Sequence, residues 1–312
     1  MSPRIPWPHG KSFAFSVFDD TDAGTVENLK PVYDHLLANG IRTTKSVWAL
    51  PGTEPPAVVG GLTCEDPAYL KWLIELQASG VEIGWHNATF HSSRRDETLR
   101  GLERFRDLFG HDPHSMANHT TCQEGIYWGE NRVSGWHRSF YNLLTRGQGR
   151  GWFRGHVEGD EFFWGDLCRS RLKYVRNFVF GDINTLKCCP WMPYSDPERP
   201  FANAFYASSE GGQVGPFVQT IREANQDQLE AEGGCCIMYT HFAKGFFRDG
   251  ALNARFKSLI ERLGRKNGWF VPVTELLDHI AKVRGGVQVL PPAERARLER
   301  RWLRHKLFVG TT

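Results

Sequence analysis

The sequence predicts an α/β protein built on a parallel sheet, and three observations carry that prediction. Apolar runs of strand length alternate with amphipathic segments of helix length through residues 13–118, the rhythm of βα units. Two buried-strand runs, 13–18 and 235–240, end in titratable residues, Asp19-Asp20 and His241. A third and shorter run, 81–85, ends at His86. In parallel α/β folds the carboxyl ends of the strands share one face, so residues far apart in sequence can meet there.

The first run, Phe13-Ala14-Phe15-Ser16-Val17-Phe18, is apolar and aromatic enough to be buried on both sides. Asp19, Asp20 and Asp22 follow it. Adjacent residues at a strand end face different sides, so these carboxylates need not share one task. From Thr25 the positions Leu29, Tyr33, Leu36 and Leu37 keep helical spacing, and Asn39-Gly40 supplies a C-cap. Residues 41–50 read as a second strand and 51–63 as a Gly/Pro-rich loop. Asp66-Pro67 opens a helix through residue 77 that Gly80 ends. After the strand 81–85 come a helix over 96–109 and a fourth strand over 113–118.

Between 120 and 210 the pattern loosens. Five of the 11 Trp lie here (Trp128, Trp136, Trp152, Trp164 and Trp191), and one strand stands out over 174–183. The region reads as an irregular Trp-rich insertion, a kind of segment that often carries function. Periodicity returns with a helix over 219–232, the strand ending at His241, a helix over 252–263, a strand over 269–273, and a helix over 275–283 capped by Thr274. Residues 1–285 thus form the main domain. Residues 286–312 form a tail whose helix over 293–307 carries six Arg/Lys beside Leu298, Trp302, Leu303 and Leu307. That helix is expected to dock its apolar face on the domain or on a second subunit, and its basic face suits peripheral contact with an anionic membrane.

Composition bounds the reading. The chain has 312 residues, 40% hydrophobic and 23% charged, ordinary for a globular protein. A net charge of +3 is too small to imply nucleic acid. Aromatic residues make up 13%, which suits stacking on sugar rings. No run approaches the length of a membrane span, and residues 1–11 lack the apolar centre of a secretory signal. The seven Cys show no C-x-x-C spacing, so they are expected to be reduced and the protein cytoplasmic.

The strand ends hold one possible constellation. One carboxylate with two imidazoles is a catalytic zinc set that keeps a position open for water. A second carboxylate can take a proton from that water, and a separate His can protonate a leaving group. His86 and His91, five apart, cannot share a helix face and would have to meet through a loop.

These motifs resemble a family. Phe18-Asp19-Asp20, then Glu82-Ile83-Gly84-Trp85-His86 with a second His soon after, then the late strand ending in Tyr239-Thr240-His241-Phe242, are similar to the polysaccharide deacetylases with a NodB-type domain, carbohydrate esterase family 4. The resemblance spans roughly residues 13–283. It implies a distorted (β/α) barrel and hydrolysis of acetyl groups on glycans with a divalent metal, most often Zn2+. It makes Asp19 the general base, Asp20, His86 and His91 the metal ligands, and His241 the general acid. The chain departs from the family pattern at its second His, which usually follows the first by four residues. It also departs at the third motif, where residues 118–129 stand instead. His119 or Glu124 could therefore serve as ligand, and His119, Tyr127 and Trp128 could hold substrate. Arg176, with Arg132 behind it, is the candidate to steady the base, and Asp182 or Asp166 to orient the catalytic His.

The implied activity is a metal-dependent deacetylase acting on an N-acetylated amino sugar, nucleotide- or lipid-linked, in surface-polysaccharide assembly. Two other readings stay open. One is hydrolysis of a different non-peptide C–N bond, with or without metal. The other is a carbohydrate-binding relative that has lost the reaction. Metal content separates the metal-dependent deacetylase from a metal-free hydrolase, and Asp19→Asn, tolerated by a binding protein and not by a hydrolase, separates the last.

Overall fold

The structure is a computed structural model that describes residues 5–308 and 310. The first residues of the N-terminal stretch and the last residues of the tail lie outside the described residues. Seven strands form the centre: β1 (Phe13–Asp19), β2 (Thr44–Val47), β3 (Glu82–Trp85), β4 (Ser115–Met116), β5 (Tyr174–Phe180), β6 (Ala204–Ser209) and β7 (Cys235–Thr240). Each pairs in parallel with the next, and β7 pairs in parallel with β1, so the sheet closes into a barrel. Helices pack around it, as parallel connections require.

The barrel is distorted where the residues make it so. β1 meets β2 only at Phe18 and Asp19. Along the rest of that edge the strand Gly268–Phe270 pairs with Phe13, Ala14 and Phe15, wedging the two apart. The β5–β6 ladder slips register between Arg176 and Val179, and such irregularities re-aim nearby side chains. At the amino end of the barrel Glu82 ties four segments together. Its carboxylate accepts from Thr44 Oγ1 (2.8 Å), Ser115 Oγ (2.8 Å), and both the N–H (3.0 Å) and hydroxyl of Thr274.

Most of the expected elements are present with tighter bounds. The first helix is Val26–Ala38, with Thr25 and Asn28 forming a reciprocal cap. Pro67–Ala78 and Arg95–Phe109 follow as expected. Four readings need correction. The second strand covers only Thr44–Val47 of the expected 41–50. The helix expected over 219–232 is two, Val214–Thr220 and Glu223–Glu232. Thr274 does not cap its helix but lies inside Val273–Val283, where it bonds Glu82. The Trp-rich region is not wholly irregular, because it supplies β6, a fully buried strand of the barrel wall.

The tail helix, Pro292–Phe308, docks on the domain. Trp302 is wholly buried and its ring lies 5.2 Å from Phe178 and 5.6 Å from Tyr141. Glu299, also wholly buried, pairs with His137 Nδ1 at 2.8 Å and accepts from Ser134 Oγ at 3.1 Å. Arg297, Arg300, Arg301 and Arg304 are exposed, whereas Arg295 pairs with Asp196 at 3.1 Å and Lys306 turns toward the barrel. Among the described residues no helix is long and apolar enough to cross a membrane.

Candidate metal centre and catalytic cleft

The carboxyl ends of the barrel strands open into one cleft of about 640 Å³. Asp20 and Asp22 reach it from the loop after β1, His86 from the end of β3, His119 from beyond β4, Arg176 from within β5, and His241 from the end of β7. Asp22 is the hub. Its Oδ1 lies 3.3 Å from His86 Nε2 and 3.2 Å from His119 Nδ1, and those two nitrogens are 3.2 Å apart. Its Oδ2 lies 2.9 Å from His241 Nε2 and 3.3 Å from Lys244 Nζ. A tight turn brings it there: Ala23, next in the chain, takes a left-handed backbone with φ 58°.

The trio fits a divalent cation. Asp22 Oδ1 is buried and forms no hydrogen bond, although two imidazoles face it. Ligand atoms about 2.0–2.1 Å from a tetrahedral zinc lie about 3.3 Å from one another, which is the spacing of these three atoms. His86 Nδ1 donates to the Ala117 carbonyl (3.0 Å), which leaves the Nε2 lone pair facing the trio. Metal-ligating imidazoles are usually fixed by a partner of this kind. Burial also lowers the His86 pKa, keeping the ring neutral as a ligand must be.

Around the trio the other charges are set by their partners. Burial would raise the Asp20 pKa, but the Arg176 guanidinium, forked on both carboxylate oxygens at 2.8 and 2.5 Å, outweighs it and holds Asp20 below the usual carboxylate range. Burial would likewise lower His241, but the hydrogen bond and charge of Asp22 raise it instead. His241 Nδ1 donates to the Gly212 carbonyl at 2.6 Å, which aims Nε2 into the cleft. That approach needs glycine at 211, where a Cβ would lie 2.5 Å from Met238 Cε and 2.9 Å from the Tyr239 carbonyl. Trp48 walls the trio, with its ring edge-on to His119 at 5.5 Å. Trp128, Trp152 and Tyr239 line the cleft further along, with the Arg132 guanidinium over the Trp128 ring and that of Arg176 over the Tyr239 ring.

The structure brings His86 and His241 to the cleft as expected, and rearranges the rest. Asp19, expected as the base, is wholly buried away from it. It sits 3.1 Å from Lys45 Nζ and accepts from Tyr33 Oη (3.0 Å) and the Phe242 N–H (2.8 Å). The next carboxylate in the chain, Asp20, faces the cleft in its place, because neighbours at a strand end diverge. Asp20, expected as a ligand, is engaged by Arg176, which was expected to steady the base. His91 is not with the trio: its Nε2 accepts the Thr53 N–H at 2.9 Å, which uses its lone pair. His119 stands where His91 was expected.

The remaining candidates divide. Trp128 and Arg132 line the cleft. Tyr127 packs on His156 at 4.5 Å and accepts the Phe201 N–H, outside the cleft lining. Asp182 accepts the Asn184 N–H at 2.8 Å, and Asp166 forks an exposed Arg95, so neither orients His241. Glu124 is buried behind the trio. It accepts from Asn87 Nδ2 (2.7 Å) and the Ser93 N–H (3.1 Å), while Asn87 Oδ1 accepts the His119 N–H (3.2 Å). Asn87 does this from a left-handed backbone, φ 65°, that asparagine tolerates. Asp22, the third acid after the first strand, has no expected role in the sequence pattern. The signal for it was Lys45, a lone cation inside a buried strand, which already implied that one acid of the cluster was spent on structure.

No protein-family model matches the sequence, and no curated protein matches it. Solved structures do. A protein from Mycobacterium smegmatis assigned as a polysaccharide deacetylase superposes with a TM-score of 0.51 at 13% identity, covering 92% of this chain and 96% of that one. The Puue allantoinase gives 0.49 at 12% identity over 90% and 94% of the two chains. The peptidoglycan deacetylase PdaC from Bacillus subtilis gives 0.42 at 12% over 95% and 98%. The first of these likenesses establishes the fold: the chain has the (β/α) barrel architecture of the polysaccharide deacetylases.

Proposed function

We propose that the protein is a metal-dependent hydrolase that removes an acetyl group from an N-acetylated sugar, an intermediate of surface-polysaccharide assembly. The observation that carries this reading is the placement of a carboxylate forked by Arg176, Asp20, and of the imidazole of His241 on the cleft that also holds the cation-fitting trio. Asp22, His86 and His119 would hold the ion. When bound, a divalent cation supplies Lewis acidity toward a scissile carbonyl and makes water acidic enough to react near neutral pH.

The chain's own residues do the rest. Asp20 takes the proton of the attacking water, and Arg176 keeps Asp20 ionised and fixed in direction. His241 gives its Nε2 proton to the departing amine, a poor leaving group unless protonated. The Gly212 carbonyl holds the ring in the required orientation. Trp152 supplies a face on which a sugar ring can stack.

The test is acetate release from a panel of N-acetylated sugars. Asp20→Asn should lower kcat by about 10²–10⁴ while the fold and bound metal persist. Turnover unchanged in Asp20→Asn would overturn the assignment of the base. Release of ammonia or ring opening from cyclic amides or ureides, with no acetate from the sugars, would move the reading to another C–N bond.

A further inference from the structure

Arg132 is a buried cation that no carboxylate of the described residues pairs with. It ends the short turn Gly129–Arg132 and is only 3% exposed. Its guanidinium carbon lies 4.1 Å from the ring centre of Trp128 and 4.3 Å from that of Trp302, so the group is held between two indoles. Its Nε reaches the Gly129 carbonyl at 3.4 Å, and its Nη1 is buried with no hydrogen-bond partner. Among the described residues no carboxylate pairs with it, and the group beside it that favours its charge is Tyr141. Other buried arginines here are matched: Arg176 by Asp20, and Arg199 by Asp196.

A second cation adds to the imbalance. Lys306, from the tail helix, also rides on Trp302, with Nζ 5.7 Å from the ring centre, and on Tyr141 at 5.8 Å. Burial, and then the charge of Arg132, push its pKa down to about 8, against the opposing negative charge of Glu210. Both side chains line the cleft that holds the catalytic candidates. Arg176 is near enough for its charge to depress Arg132 further. Guanidinium cannot shed its proton at neutral pH, and an unpaired buried charge is strongly unfavourable. The arrangement is complete only when an anion enters.

We propose that Arg132 and Lys306 form an anion subsite of the cleft, so that the compound bound there carries a phosphate or carboxylate group. The planar fork of Arg132 suits two oxygens of one such group, and Lys306 adds a point charge. That this compound is the substrate rests on the hydrolase reading above. The binding of the anion does not, since it needs neither Asp20 nor a metal ion.

The test is calorimetric titration of inorganic phosphate and, separately, acetate into the full chain at low ionic strength. The wild type should bind at least one of them. Lys306→Met should weaken that binding about 10-fold and Arg132→Met more, on the scale of one or two charge-assisted hydrogen bonds. His86→Ala should leave it intact. Preference for phosphate assigns a phosphate-bearing compound, and preference for acetate a carboxylate-bearing one. Binding of neither anion, or a loss confined to His86→Ala, overturns the subsite. Arg132 is buried and its variant can fail to fold, whereas Lys306 is only partly buried, so equal affinity in wild type and Lys306→Met overturns it alone. If hydrolysis fails while anion binding follows this pattern, the reaction assignment falls and the subsite stands.

Discussion

Lys45 has no exposed surface, and it forms an ion pair with Asp19 at 3.1 Å. Burial works to lower the lysine's pKa, but Asp19 raises it above the ordinary value. Removing one member leaves the other as a bare charge in the core. Lys45→Met should therefore cost about 3–5 kcal/mol, and Lys45→Met with Asp19→Asn much less, read by urea unfolding. Equal losses in the single and double variants would mean the pair is not coupled. Glu124 makes a pH prediction at the same scale. Burial raises its pKa from 4.5 to about 7. Between those values the folded chain holds more protons than the unfolded one, so this group's contribution to stability falls as pH rises from 4.5 to 7. The loss is up to about 3 kcal/mol. Glu124→Gln should flatten that slope at the expense of the Ser93 N–H bond, and an unchanged slope in unfolding curves at pH 5 and pH 8 (values on the order of the window edges) would refute the assignment.

At the scale of elements, the barrel is held at its amino end by Glu82, which joins β2, β3, β4 and the helix Val273–Val283. Glu82→Ala leaves those donors without their acceptor and should cost about 2–3 kcal/mol, with the metal centre at the opposite end intact. A change below about 0.5 kcal/mol, the range of an ordinary surface site, would show that the tie is not needed. Strands were legible where apolar runs were continuous: β1 and β7 could be read residue by residue, including what stands at their ends. β6 was not, because Ala204-Phe205-Tyr206-Ala207-Ser208-Ser209 mixes small and polar residues whose burial comes from neighbouring strands. The metal trio was half legible. His86 follows a recognisable strand and His119 stood among the alternative ligands, whereas Asp22 had no expected role, because only the turn at Ala23 brings it to the two imidazoles. Asp19 and Asp20 are alike in composition, and only Lys45 and Arg176, from other strands, decide between them.

For the whole molecule, the barrel gathers one carboxylate–arginine pair, one carboxylate–imidazole cluster, the Arg132 guanidinium and the Lys306 ammonium into a single cleft. The tail helix is part of that design, since its Lys306 lines the cleft and its Trp302 packs behind Arg132 and Lys306. The central claim is that Asp22, His86 and His119 hold a divalent cation. The direct test is metal content per chain, by mass spectrometry, of the wild type after incubation with zinc and dialysis, beside His119→Ala and His91→Ala. The account predicts about one ion per chain, the complement of a single Asp-His-His site, in the wild type and in His91→Ala, and its loss in His119→Ala. Loss in His91→Ala with retention in His119→Ala, or no bound ion in the wild type, would contradict it.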